Sequence, residues 1–143
     1  MTDCIFCKII NGDIPSAKVY EDDEVFAFLD MSQVTPGHTL VVPKKHVENI
    51  FEYDEDVAVA IAKRLPKIAN AIKEAFPEIK GMNIVNNNGE LAYQSVFHTH
   101  WHLLPRYNED DKFAIEFSNN QDSYTQEEFS ERAALIASQI KEN

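Results

Sequence analysis

Short apolar stretches with strand-like composition punctuate this chain, and one long stretch carries a different period. Val25 to Leu29 and Thr39 to Val42 are compact β-rich runs separated by the turn residues Thr35-Pro36-Gly37, which predicts an antiparallel pair. Lys18 to Tyr20 adds a candidate strand before them. Between Asp54 and Phe76 the spacing changes: Val57, Ile61, Leu65, Ile68, Ile72 and Phe76 recur with the period of one helical face. Asp54 is placed to cap this helix and Pro77 to end it. Pro66 lies inside; it lacks an amide hydrogen and crowds the preceding turn, so a kink or break is predicted near Arg64. Asn83 to Asn86 reads as a strand, Asn87-Asn88-Gly89 as a turn, and Phe97 to Leu104 as another strand stopped by Pro105. Thr125 and Glu128 form a capping box for a last helix whose buried stripe would be Phe129, Ala133, Ile136 and Ile140.

Strands outnumber helices and do not alternate with them one for one. The predicted class is therefore α+β: an antiparallel sheet of about five strands, one long helix, and a C-terminal helix packed on its own subunit or on another. A chain of 143 residues has the size of one domain, and 44% apolar content with four Gly and six Pro describes an ordered core. The net charge of -11 argues against wrapping duplex nucleic acid, where affinity comes from Lys and Arg neutralising phosphates. It does not exclude a small anion, which needs only local donors. The acid lies mostly in Glu21 to Glu24, Glu52 to Asp56, Glu109 to Asp111 and Glu127-Glu128, read as solvated turns and helix starts. No apolar run is long enough to cross a bilayer, and Met1-Thr2-Asp3-Cys4 lacks the basic start of a secretion signal, so a cytoplasmic protein is expected.

The segment Phe97-His98-Thr99-His100-Trp101-His102-Leu103-Leu104 changes the picture most, because three of the five histidines occupy every second position. On a strand, His98, His100 and His102 would share one face and Phe97, Thr99, Trp101 and Leu103 the other. Five histidines scattered at random would give such a triple in roughly three chains per thousand. The polar side of a half-buried strand is the bland explanation, yet Lys, Thr or Glu would serve that purpose equally well. Imidazole suits attack on phosphorus: near neutral pH one nitrogen is unprotonated while the other can be held by a hydrogen bond. A second ring can protonate the leaving group and a third can fix a tautomer.

The run His98-Thr99-His100-Trp101-His102-Leu103-Leu104 resembles the signature of the histidine-triad (HIT) family. The likeness extends to Phe6, Ile9-Ile10, Ile14-Pro15, Phe28-Leu29-Asp30, Pro36-Gly37-His38, Val42-Pro43-Lys44-Lys45-His46, Asn87-Asn88-Gly89 and Gln94-Ser95-Val96. These look like the Hint-like branch and its bacterial relatives, over about residues 4 to 105 of a single domain, with a helical extension over 106–143. Thr99 departs from the usual apolar residue after the first histidine. The resemblance implies His100 as the nucleophile that forms a nucleotidyl-histidine, with His102 and His98 supporting it. It implies Asn87, Gly89, Gln94 and Ser95 around the phosphate, Asp30 at the ribose, and Phe6, Ile9, Phe28 and Met31 around a purine. Taken alone, most of these would be turn, cap or core residues.

Cys4-Ile5-Phe6-Cys7 is a second constellation. A redox C-x-x-C follows a strand and opens a helix, a context nothing nearby predicts, and a disulfide would be unusual in cytoplasm. The pair reads better as half of a structural zinc site, with two inert thiols as the alternative. Family members with such a pair imply His46 and His98 as the remaining ligands, while His38 is assigned to its turn. No redox cofactor is expected.

The leading function is hydrolysis of purine nucleoside phosphoramidates or related nucleotidyl conjugates. A diadenosine-polyphosphate hydrolase would use the same nucleophile with another leaving group. Metal-dependent hydrolysis and a nucleotide-binding interaction module with incidental turnover are the remaining classes. The resemblance also implies a homodimer whose sheets join across a two-fold axis, the commonest arrangement for soluble oligomers.

Overall fold

The computed structural model describes residues 3–141 and divides at Phe113/Ala114 into two compact units. The first holds α1 (Ile5–Ile10), β1 (Lys18–Glu21), β2 (Val25–Leu29), β3 (Thr39–Pro43), α2 (Glu55–Ala75), β4 (Gly81–Asn86) and β5 (Trp101–Arg106). The second holds α3 (Gln126–Gln139).

The five strands form one antiparallel sheet in the order β1-β2-β3-β5-β4. The predicted pair is β2 with β3, in register from Val25↔Pro43 to Leu29↔Thr39. Alternation along the strands gives the sheet two apolar faces. Val25, Ala27, Val41 and Leu103 face Ala60, Ile61, Ile68 and Ile72 of α2, with Trp101 packed against them. Phe26, Phe28, Leu40 and Val42 face Phe6 and Ile9 of α1. Because His102 lies opposite Leu40 in the β3–β5 register, it belongs to the α1 face, while Trp101, opposite Val41, belongs to the α2 face.

The long helix starts where predicted: the Asp54 side chain accepts from the Val57 amide. It does not break at Pro66 but runs without interruption from Glu55 to Ala75. Pro66 deprives only the Ala62 carbonyl of a partner, and both residues are exposed, so water can take its place. Val57, Ala60 and Ile61 before it, and Ile68 and Ile72 after it, are buried along one stripe that keeps the helix on the sheet. Arg64 ties α2 to the β1–β2 turn by donating to Asp22 at 2.8 Å and to Glu24 at 3.2 Å.

Three further expectations are corrected. Pro105 does not stop β5, which pairs with β4 through Met82↔Pro105 to Gly81↔Arg106. The β3 neighbour ends at Leu103, so the missing amide of Pro105 falls where no partner strand needs it. The ladder also begins only at Trp101, so residues 97–100 are not β-strand. Finally, α3 has the predicted capping box, but Phe129, Ile136 and Ile140 are exposed rather than forming a buried stripe within its unit. Among the described residues, no helix is long and apolar enough to cross a membrane.

Candidate functional site

Residues 98–100 enter the sheet without a strand on either side, and other groups take up their hydrogen bonds. The Thr99 amide donates to Val47 O at 2.7 Å, and the Asn86 side chain donates to His100 O at 2.9 Å. The His98 ring bonds Pro43 O through Nε2 at 2.8 Å, and the His100 ring bonds His98 O through Nδ1 at 2.9 Å. A carbonyl only accepts, so these contacts put the protons on His98 Nε2 and His100 Nδ1. The lone pairs are then His98 Nδ1 and His100 Nε2.

His38, assigned from sequence to its turn, proves to be part of the cluster. Gly37 makes the turn at φ 93, where a side chain would strain the backbone and meet the Phe76 and Pro105 rings at 3.3 Å. His38 follows on the same face as Leu40 and lies buried, with Nδ1 accepting from the Val34 amide at 3.2 Å. Its proton must then sit on Nε2, 2.9 Å from His102 Nδ1, which leaves the second proton of the pair on His102 Nε2. Asp30 Oδ2 lies 3.6 Å from His38 Nε2, and its Oδ1 accepts from the Ser32 amide and hydroxyl. Asp30, His38 and His102 gather donor atoms that could suit a cation. The Val34 amide, however, occupies the nitrogen that would have to carry the His38 proton if Nε2 bound a metal, so the arrangement is a hydrogen-bond relay.

Burial keeps the rings neutral. It pushes His100 and His38 below the ordinary imidazole range, and it brings His102 to about 4 with help from the neighbouring His100 and His38 rings. Burial raises the Asp30 carboxyl, but the Ser32 bonds and the two nearby histidines bring it net below its usual range. A histidine proton resonance of His102 should therefore titrate near 4 rather than 6.5. Between those values the unfolded chain binds a proton that the folded one refuses, so the His102 contribution to stability is lost as pH falls from about 6.5 to 4. A His102 midpoint at or above 6.5 in an NMR titration would contradict the buried relay.

A second cluster lies behind the first. Cys4, Cys7, His46 and His98 bring one ligand atom each within 4.8 Å of one another. Cys4 Sγ and Cys7 Sγ are 3.4 and 3.6 Å from His98 Nδ1, and Cys7 Sγ is 3.5 Å from His46 Nδ1. The sulfur–nitrogen edge of a tetrahedral zinc site is about 3.5 Å, so the donor set fits that metal without rearrangement. The Pro43 carbonyl on the far side of the His98 ring aims Nδ1 at the thiols, as an outer-shell partner should. Contrary to the sequence reading, the C-x-x-C does open a helix: Cys4 caps α1 and Cys7 lies within it. Among the described residues, no strand precedes it.

Residues 11–109 match the HIT domain. The chain belongs to the HIT family. It is 53% identical over 137 residues to Protein hit of Bacillus subtilis, covering 96% of this chain and 94% of that protein. It is 40% identical over 107 residues to a protein of Schizosaccharomyces pombe named adenosine 5'-monophosphoramidase, covering 75% and 77% of the two chains. The crystal structure of a HIT family protein from Bacillus anthracis superposes with a TM-score of 0.93 at 52% identity, over 97% of this chain and 98% of that one. A zinc-bound histidine triad family protein from Mycobacterium smegmatis gives 0.73 at 35% identity, over 85% and 88%. The α+β fold with five antiparallel strands is thus the HIT fold.

In this HIT protein the remaining residues singled out from sequence fall into three groups. Phe6, Ile9 and Phe28 pack in one apolar cluster, and the Phe6 ring meets the His100 ring edge-on at 5.1 Å. Met31 stands apart, 100% exposed, and is not part of that wall. Ser95 is exposed beside a cleft of about 590 Å³ that also exposes Cys4 and His46, and Asn87 is half-buried at the end of β4. Gly89 and Gln94 are bonded to each other: the Gly89 amide donates to Gln94 Oε1 at 2.8 Å and the Gln94 amide to Gly89 O at 3.0 Å. Their amides are committed to the loop, whose tip Gln94 also ties to Glu48 O at 2.6 Å. The residue of the cluster that sequence reading missed is His38, and its signal was parity: counting in twos from Leu40 puts it on the face of His102.

Proposed function

We propose that this HIT protein is a nucleotide hydrolase that cleaves conjugates of a purine nucleoside monophosphate, a phosphoramidate above all, through a covalent nucleotidyl-histidine at His100. The observation that carries the reading is the wiring of the rings. His100 Nδ1 is held by the His98 carbonyl, so its free Nε2 lone pair stands beside a neighbouring ring whose proton the relay directs onto Nε2.

In the first step, His100 Nε2 forms a bond to phosphorus and the bond to the leaving nitrogen breaks. The leaving nitrogen takes the Nε2 proton of His102, which donates from the imidazolium form that the bound anionic phosphate favours, so that a neutral ring and not an imidazolate is left. The positive charge that develops on the His100 ring is stabilised by the His98 carbonyl at Nδ1 and offsets the proton lost from His102. In the second step, water attacks phosphorus, the bond to Nε2 breaks with its electron pair returning to His100, and the water proton goes back to His102. His38 serves as the residue that keeps the His102 proton on the correct nitrogen.

Ser95 and the Asn87 side chain are the phosphate donors in this reading, with the Gly89–Gln94 pair as the scaffold of their loop. Asp30 accepts the ribose hydroxyls, and Phe6, Ile9 and Phe28 line the base slot. Zinc held by Cys4, Cys7, His46 and His98 anchors α1 and the first triad residue and takes no part in the chemistry. A homodimer accompanies the reading: among the described residues β4 is an edge strand of the sheet, the kind of element that pairs across a two-fold axis. The metabolic setting is the cytoplasm.

The test is to trap the adduct. Rapid acid quenching with adenosine phosphoramidate, followed by peptide mass spectrometry, is expected to find a nucleotidyl group on His100. A parallel run with a diadenosine polyphosphate measures the rival leaving group. Turnover without any labelled histidine would remove the covalent intermediate, and tight AMP binding without turnover on either substrate would remove the hydrolase reading.

A further inference from the structure

We propose that Tyr53 is a positioning residue for His100, acting from the opposite face of the sheet through the two residues that flank it; the proposal rests on the role given to His100 above. Residues 98–100 precede the β5 ladder, so neighbouring strands do not fix their backbone. One phenolic oxygen takes over part of that task. Tyr53 OH accepts from Trp101 Nε1 at 3.0 Å and lies 2.6 Å from Thr99 Oγ1. Thr99 and Trp101 are the residues on either side of His100; both reach Tyr53 OH, on the side where Trp101 packs with the α2 cluster, while the His100 ring meets Phe6 on the α1 side. Clamping both to a single atom fixes the backbone twist across position 100, and with it the direction in which the His100 ring leaves the chain.

The clamp is itself well anchored. Tyr53 joins a short 3-10 turn over Ile50–Glu52 to Asp54, the cap of α2, so the phenol is held by the helix that covers this face. Thr99 is 1% exposed, and among the described residues its hydroxyl has no hydrogen-bond partner besides Tyr53. A buried hydroxyl with one partner depends on it completely. Threonine at 99, where the family pattern has an apolar residue, is what allows the bond; valine would fill the same space without it.

The experiment compares Tyr53→Phe, Thr99→Val and the double variant by kcat and KM for adenosine phosphoramidate, thermal midpoint, and the ring N–H resonances of His100. Tyr53→Phe is expected to lower kcat on the order of tenfold while KM changes less than about twofold, because the nucleophile is misaimed and the nucleotide contacts are intact. The double variant replaces both partners by apolar groups of similar shape and should regain part of the lost midpoint, while kcat stays low. The His100 Nδ1–H signal should shift or broaden in all three. Recovery of kcat together with the midpoint would show a structural role alone and overturn the proposal, as would an unchanged kcat and an unshifted ring signal in every variant. If the wild type neither turns over nor labels, the hydrolase reading fails on its own, and the ring signal still decides for or against the clamp.

Discussion

Replacing His100 by alanine is expected to lower turnover of adenosine phosphoramidate by roughly three orders of magnitude or more, and to abolish covalent labelling. The size follows from what is removed. Among the described residues, His100 supplies the only ring nitrogen on the His102 side whose lone pair the wiring leaves free, since His98 Nδ1 faces the thiols, His38 Nδ1 is occupied by the Val34 amide and His102 Nδ1 by His38 Nε2. No neighbouring ring can take over the attack, and direct displacement by water loses both the nucleophile and its alignment. KM should change little, because Asp30, Ser95 and the cluster of Phe6, Ile9 and Phe28 are untouched. Some loss of midpoint is expected because His100 is buried against Phe6, so the variant must be assayed well below its own transition. Residual kcat within tenfold of the wild type in folded protein would remove His100 as the nucleophile.

The strands and helices that bury an apolar face were legible because periodicity reports burial directly. Val25 to Leu29, Thr39 to Val42 and the stripe from Val57 to Ile72 occupy the elements their spacing predicts. What pattern reading missed are places where a distant residue decides a local outcome. Pro66 predicted a break from local sterics, and burial of the stripe on both sides overrode it. Residues 97–100 have strand composition, yet their hydrogen bonds go to Val47, Asn86 and Pro43, which no local pattern reveals. In α3 the amphipathic spacing is present, but a helix can show a stripe without burying it in its own unit.

The candidate site divides along the same line. Three histidines at alternate positions were visible at once, and the donor set of Cys4, Cys7, His46 and His98 followed from resemblance and is brought together in space. Tautomers were not visible, because they depend on which carbonyl or amide each ring meets. His38 is the instructive case. A histidine after Pro-Gly looks like a turn residue until the β3–β5 register sets it against His102, and only then does the Val34 amide become the group that orders the protons of the pair. Gly89 and Gln94 are a different case: the resemblance implied their backbone around the phosphate, and the loop uses their amides on itself.

Removing the proposed zinc is the experiment that separates the two clusters. A strong chelator, or Cys4→Ser with Cys7→Ser, is expected to lower the thermal midpoint by roughly 10 °C or more, as the loss of a few kcal/mol would in a domain of this size. The thiols lie on α1 together with Phe6 and Ile9, so the same treatment should loosen the base slot and raise KM. It should also slacken His98, whose ring joins the cluster to Pro43 and whose carbonyl holds the His100 proton. In the proposed mechanism the chemistry runs through His100 and His102, which are outside the donor set, so kcat at a temperature where the protein stays folded should fall by less than about tenfold. The cleft beside Cys4 and His46 gives a chelator access without global unfolding. Elemental analysis of the purified protein, paired with melting curves and kinetics before and after chelation, provides all three readouts. Purified protein without zinc and with a midpoint indifferent to chelator would eliminate the structural metal. Immediate and complete loss of kcat at an unchanged midpoint would instead place a metal in the reaction and shift the mechanism away from His100.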